Sequence, residues 1–160
     1  MSLLNHHQER MYFMTFTADL NKFAQNTNRK VADVIQEVAV DLFSTIINET
    51  PIGDPSLWQS NPPADYVPGS LQSNWQCSLG SPESGRLTAI NSSGATISSM
   101  RSVVEGYQPD QPIHLVNNLP YAERIEYLGW SHIQKPEGMV RVSIASFGQK
   151  FNTALAKVAA

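Results

Sequence analysis

An apolar stripe that runs from Leu20 to Ile46 and is then stopped at Pro51 sets the frame for the whole of this 160-residue chain. Leu20, Phe23, Ala24, Thr27, Val31, Val34, Ile35, Val38, Leu42, Phe43 and Ile46 recur at three- and four-residue steps, the repeat of one helix face. Asn21, Lys22, Asn28, Lys30, Asp33, Glu37 and Asp41 fall mostly on the other side. Thr17 or Asp19 can accept from the free amides of a first turn, and Pro51 disfavours helical geometry at Thr50. Roughly 30 residues at about 1.5 Å each reach about 45 Å, more than a domain of this size is wide. A kink or break is therefore expected near Asn26–Asn28. The missing seven-residue repeat predicts that the stripe covers a sheet rather than zips a coiled coil.

Past the helix, the stretch 51–70 holds five prolines and two glycines, which exclude regular structure. Trp58 and Tyr66 in such a loop need a surface to lie on. Either they fold back on their own domain as a satellite cluster, or they belong to a subunit interface, where aromatics are enriched. Leu71 to Leu79 alternates with period two and predicts a strand with Trp75 inward and Cys77 as a small core residue. No cationic neighbour is at hand to make that thiol reactive. Arg86–Ile90 is a possible second strand of a hairpin. Ser92 or Ser93 can cap a short helix through Ala95, Ile97, Met100, Val103 and Val104, ending at Gly106.

From Pro112 to Ile144 two strand-like runs, Ile113–Val116 and Met139–Ile144, flank a connection rich in aromatics and turn residues. Tyr121–Tyr127 reads as a short helix, and Val142 is assigned to the core with Trp75. Phe147, Phe151, Leu155 and Val158 share one side of a closing helix or extended tail.

The chemistry of known catalytic motifs is missing. There is no Gly-rich phosphate loop, no dinucleotide fingerprint and no Gly-x-Ser-x-Gly elbow. His114 sits in an apolar run as a wall residue. His132 beside Trp130 could meet Glu126 or Glu137, the basis of an alternative reading as a small hydrolase, but one such pair is not a mechanism. Glu123, Arg124 and Glu126 read as a solvated or interface charge cluster. His6-His7 reads as polar surface rather than a metal tract. One cysteine excludes an internal disulfide and a cysteine-built zinc site, and a net charge of −3 argues against a basic nucleic-acid footprint. No apolar run approaches the roughly 20 residues that cross a bilayer, and the N-terminus carries no export signal, so synthesis in the cytoplasm is the default.

Five segments in fixed order resemble the small head–tail joining and tail-completion proteins of long-tailed bacteriophages. They are Thr50-Pro51-Ile52-Gly53 at the helix end, Gly69 to Asn74-Trp75 on the first strand, and Asn117-Asn118-Leu119-Pro120-Tyr121-Ala122 after the second. Glu126-Tyr127-Leu128-Gly129-Trp130-Ser131 and Pro136-Glu137-Gly138-Met139-Val140 complete the set. Leu128 is inserted into the family's Glu-Tyr-Gly, and Gln72 stands where the family often has arginine. The resemblance covers about residues 19 to 150. It implies a structural virion protein without cofactor or enzyme activity, a homo-hexameric ring in the phage neck or at the proximal end of the tail. Its partners would be itself, a connector or head-completion protein, and the tail tube or tail terminator protein. DNA would pass through without specific binding, and no membrane is involved. A tail terminator that stops tube growth is the alternative within that class, and a monomeric binding or inhibitor module the alternative outside it.

The expected architecture is α+β: a long N-terminal helix on a small, mostly antiparallel sheet, a second shorter helix and the Pro-rich loop. Residues 1–18 form an arm, 19–147 the domain with its 54–68 loop, and 148–160 a tail or short helix. Trp58, Tyr66, Tyr121, Glu126 and Trp130 are the expected interface residues.

Overall fold

The computed structural model describes residues 18–159 apart from 28, 59, 60, 63, 65, 110 and 132; of 153–155 and 157–159 it describes the backbone only. The arm as far as 17, with Thr17 and His6-His7, and also His132, lie outside the described residues. The apolar stripe does form helix, in two pieces. Residues 18–26 are helical (α1) and α2 runs from Val31 to Glu49. Thr27 makes the break: its hydroxyl donates to the Phe23 carbonyl at 2.8 Å, while the Arg29 amide reaches back to Ala24 at 2.9 Å. A side chain that takes a helical carbonyl competes with the next turn. Asp19 lies inside α1 rather than capping it.

The rest of the described chain is a 3₁₀ turn at Pro55–Leu57, α3 (Ser70–Ser73), β1 (Trp75–Leu79), α4 (Ser93–Val104), β2 (Ile113–Asn117), α5 (Ala122–Tyr127) and α6 (Val140–Ala159). β1 and β2 pair antiparallel, Trp75 opposite Asn117 and Leu79 opposite Ile113, so the class is α+β. Ser92 caps α4 as its sequence predicts, accepting from the Ala95 amide at 3.2 Å. The layering differs from the expectation. α4 lies along β1, while α2 packs on α4 and α6.

Two apolar clusters mark the two ends of α2. Leu20, Ala24 and Val34 are buried at the N-terminal end, with Val38 and Phe151 against them. Ala39, Ile46, Ile47, Leu71, Trp75, Met100, Val104, Ala122, Ile125 and Met139 form the larger core toward the C-terminal end. Trp75 is buried as expected, and Cys77 packs half-buried against this core, where burial pushes its thiol up to about 11.

The end of α2 is knotted into that core by polar contacts. Thr50 donates its hydroxyl to the Ile46 carbonyl at 2.7 Å and accepts from the Trp75 indole N–H at 2.7 Å. The Gln72 amide donates to the Ile47 and Thr50 carbonyls at 3.1 and 3.4 Å. Carbonyls that a helix end leaves without partners are thereby satisfied inside the protein. Thr50→Val keeps the shape but leaves a buried indole N–H without its acceptor. We expect a loss of about 2 kcal/mol, read as a fall in the urea midpoint at unchanged slope.

Three expected strands need correction. Met139–Ile144 opens α6. Its alternating Val140, Val142 and Ile144 imitate a strand, yet Val142 is 41% exposed while Met139 and Ser143, four residues apart, are buried. Val142 is thus not a core residue. Leu71–Ser73 is one helical turn, because Gly69 enters it at φ +85° and Asn74 closes it. Arg86–Ile90 is not a strand, and β1 pairs with β2 instead. The 81–87 segment is fastened to β1 by side chains: Asn74 donates to Leu87 O at 3.0 Å and accepts from its amide at 2.7 Å, Gln76 donates to Gly85 O at 3.0 Å, and Ser78 to Ser81 O at 2.7 Å. The polar face of β1 therefore lies under chain rather than open to water. α6 also runs unbroken through the boundary expected at 147.

Candidate functional site: an aromatic cleft

The loop after α2 leaves and returns at one point. The Gly69 amide donates to the Ile52 carbonyl at 2.7 Å, closing the intervening segment as an Ω-type excursion. Inside it Asp54 accepts from the Ser56 amide at 2.9 Å and the Ser56 hydroxyl at 2.7 Å, which fixes the 3₁₀ turn and holds the Asp54 carboxyl below its ordinary value. The turn presents Trp58 to Tyr66, ring centroids 4.7 Å apart, and Tyr66 meets Tyr121 edge-on at 6.0 Å. Gly53 permits this closure. It sits at φ +81°, and a Cβ there would fall 1.8 Å from the Tyr66 hydroxyl. Burial raises the Tyr66 hydroxyl above its ordinary range; a hydrogen bond with Trp58 opposes the rise and the Asp54 charge adds to it.

The opposite wall comes from the connection between α5 and α6. Gly129, at φ +63°, turns the chain after α5, and Trp130 lies under the Arg124 guanidinium, 4.5 Å from cation to ring centroid. This geometry is a cation–π contact. Between the two walls lies a cleft of about 340 Å³ lined by Ile52, Trp58, Tyr66, Tyr121, Trp130 and Ile133 among others. A second, larger depression of about 780 Å³ shares Trp58, Tyr121 and Trp130 and extends toward Leu87 and Ile90.

Four of the five sequence-predicted residues thus converge: Trp58, Tyr66, Tyr121 and Trp130 line one cleft. Trp58 and Tyr66 pack on their own domain, the first of the two readings of the loop, and also wall an open surface feature. Glu126 requires a correction. It is not a solvated or edge charge but 5% exposed, turned inward beneath α6. Its carboxylate accepts from the Met139, Val140 and Arg141 amides at 2.7, 2.9 and 2.9 Å, and from the Arg141 side chain at 3.2 Å. Burial acts to raise the carboxyl, but those donors outweigh it and hold Glu126 below the ordinary glutamate value. A carboxylate on the first amides of a helix is a cap that also meets the positive end of the helix dipole. Gly138, at φ +85°, makes room: a Cβ there would lie 2.6 Å from the Glu126 carbonyl and 2.8 Å from its carboxylate.

Sequence reading missed the apolar rim. Ile52, Leu57 and Ile133, which line the cleft, are between 46% and 72% exposed. The signal was available, as isolated large apolar residues beside Pro and Gly in segments without periodicity. Chemically the cleft offers apolar area and stacking. Of its titratable groups, Asp54 is held below and Tyr66 above its ordinary value, both away from neutrality. His114 bridges to the Gly80 carbonyl at 3.2 Å, away from the cleft. Among the described residues no cluster of His, Cys, Asp and Glu could hold a metal ion, and no helix is long and apolar enough to cross a membrane. No protein-family model, curated protein or solved structure matches the chain.

Proposed function

We propose that this chain is a structural virion protein, a ring subunit at the head–tail interface or proximal tail end of a long-tailed bacteriophage, joining connector to tail tube. The observation that carries the reading is the aromatic cleft with its rim of exposed Ile52, Leu57, Trp130 and Ile133. An apolar patch of this kind, edged by polar chain, is what a protein contact requires and what solvent disfavours. A second support is internal. Segments that carry the family resemblance meet one another, Thr50 with Trp75, Asn117 with the Leu71 carbonyl at 2.7 Å, and Glu126 with Met139 and Val140, and Leu71, Trp75, Ala122 and Met139 share one buried cluster. They act as one scaffold beneath the cleft, with Tyr121 and Trp130 emerging from it into the wall. The net charge of −3 suits a passage that lets DNA slide by rather than grip it.

Native mass measurement tests the assignment. We expect a closed ring, either from the protein alone or on adding purified tail tube or connector. A chain that stays monomeric with every virion component overturns the reading.

A further inference from the structure

The aromatic cleft carries a charge that apolar contact leaves unused. Asp54 stands on its wall together with Trp58, Tyr66, Tyr121 and Trp130, and no lysine or arginine is among the residues that line it. Both hydrogen bonds from Ser56 end on Asp54 Oδ1, at 2.9 and 2.7 Å. Among the described residues no donor or cation reaches Oδ2. The Ser56 hydroxyl and amide hold the carboxyl below its ordinary value, so it is charged at neutral pH. That charge is felt inside the cleft: burial raises the Tyr66 hydroxyl, and the Asp54 carboxylate adds to the rise. Trp130 meanwhile has the Arg124 guanidinium 4.5 Å from its ring centroid, and Arg124 lines the second depression rather than this one. One aromatic of the cleft thus already stacks with a guanidinium of its own chain.

We infer that the cleft takes a guanidinium, the side chain of an arginine that a partner protein presents between apolar neighbours. Aromatic faces attract a cation through the negative charge of their π clouds, more strongly as water is excluded. A planar guanidinium stacks on a ring while its edge donates N–H groups to a carboxylate, a geometry that a compact ammonium does not match. Asp54 Oδ2 is the acceptor open to that edge. The exposed Ile52, Leu57 and Ile133 offer apolar area to the residues on either side of the arginine. Nucleic-acid bases stack on such rings as well, but their phosphates would meet Asp54 and no lining cation. The inference rests on reading the cleft as a protein contact, and it names the side chain that the contact takes.

The test uses two pentapeptides capped at both ends, Gly-Leu-Arg-Leu-Gly and Gly-Leu-citrulline-Leu-Gly, alike in shape and different in charge. Each is titrated into the full chain, with tryptophan fluorescence as the readout. We expect saturable binding of the arginine peptide, with the citrulline peptide weaker by about tenfold or more. Asp54→Asn keeps an Oδ1 acceptor for Ser56 and with it the turn, so the urea midpoint should hold. In that variant the affinity for the arginine peptide should fall to that for citrulline. Equal binding of the two peptides, arginine binding that Asp54→Asn leaves unchanged, or no saturable signal up to millimolar peptide overturns the inference. Native mass of the unaltered chain separates this site from the ring. A protein that binds the arginine peptide as expected, yet stays monomeric with every virion component, keeps the cation site and discards the phage-neck assignment.

Discussion

Replacing Glu126 with alanine is expected to lower the unfolding free energy by about 3 kcal/mol, the largest effect of any single polar substitution in this fold. The carboxylate satisfies three consecutive amides at the start of α6 and an arginine besides. Alanine leaves Met139 N–H buried without an acceptor beside Met139 itself, which is 2% exposed in the main core. Urea denaturation followed by circular dichroism measures the loss. The pH dependence gives a second readout with a fixed sign. Glu126 titrates lower when folded than when unfolded. Its contribution is thus complete above the ordinary glutamate value and lost as pH falls through the folded one. On acidification the gap between wild type and Glu126→Ala should narrow. A gap that is constant down to strong acid would mean that the carboxylate's charge does not hold α6.

The second large effect concerns assembly. Deleting residues 54–68 and joining Gly53 to Gly69 is expected to leave a folded protein that forms no ring and binds neither tube nor connector. The amide of Gly69 already meets the carbonyl of Ile52 at 2.7 Å, so the excision asks little of the flanking chain. None of the buried residues of the main cluster comes from 54–68. What the deletion removes is one wall of the cleft, Trp58 and Tyr66, with part of the rim. A cooperative melt near that of the full chain, together with a monomeric native mass, is the expected pair of results. Unfolding would mean that the loop aromatics serve the core and not a neighbour.

How far the sequence foretold this structure depended on whether the deciding contact was local. The stop at Pro51, the Ser92 cap, β2 and α5 are each set by neighbouring residues, and all were legible. The start of α6 was not, because its cap is Glu126, fourteen positions upstream of Val140 and on another helix. Without it, Met-Val-Arg-Val-Ser-Ile carries β-branched residues at every second place and reads as a strand. The pairing of β1 was likewise decided at a distance, by β2 rather than by the nearer Arg86–Ile90. For the cleft, Trp58, Tyr66, Tyr121 and Trp130 were picked out singly as aromatics in turn-rich chain. Their convergence depends on Gly53 and Gly129, whose backbone geometry no periodicity encodes. Glu126 reads in the sequence as one of a charge cluster with Glu123 and Arg124, but its partners are the first amides of the protein's own helix.

The fastening of residues 81–87 has a consequence for motion. A strand held in a ladder opens only when the sheet does, but this segment is tied down through the side chains of Asn74, Gln76 and Ser78 and, from beyond β2, Asn118, which donates to Glu83 O at 3.1 Å. It can detach as a local unit while β1 and β2 stay paired, at a free energy below that of global unfolding. Amide exchange at Leu87, whose N–H rests on the Asn74 carboxamide, therefore reports on that opening and not on the stability of the whole. The second depression beside Trp130, which this segment borders through Arg86 and Leu87, therefore changes shape when the segment opens.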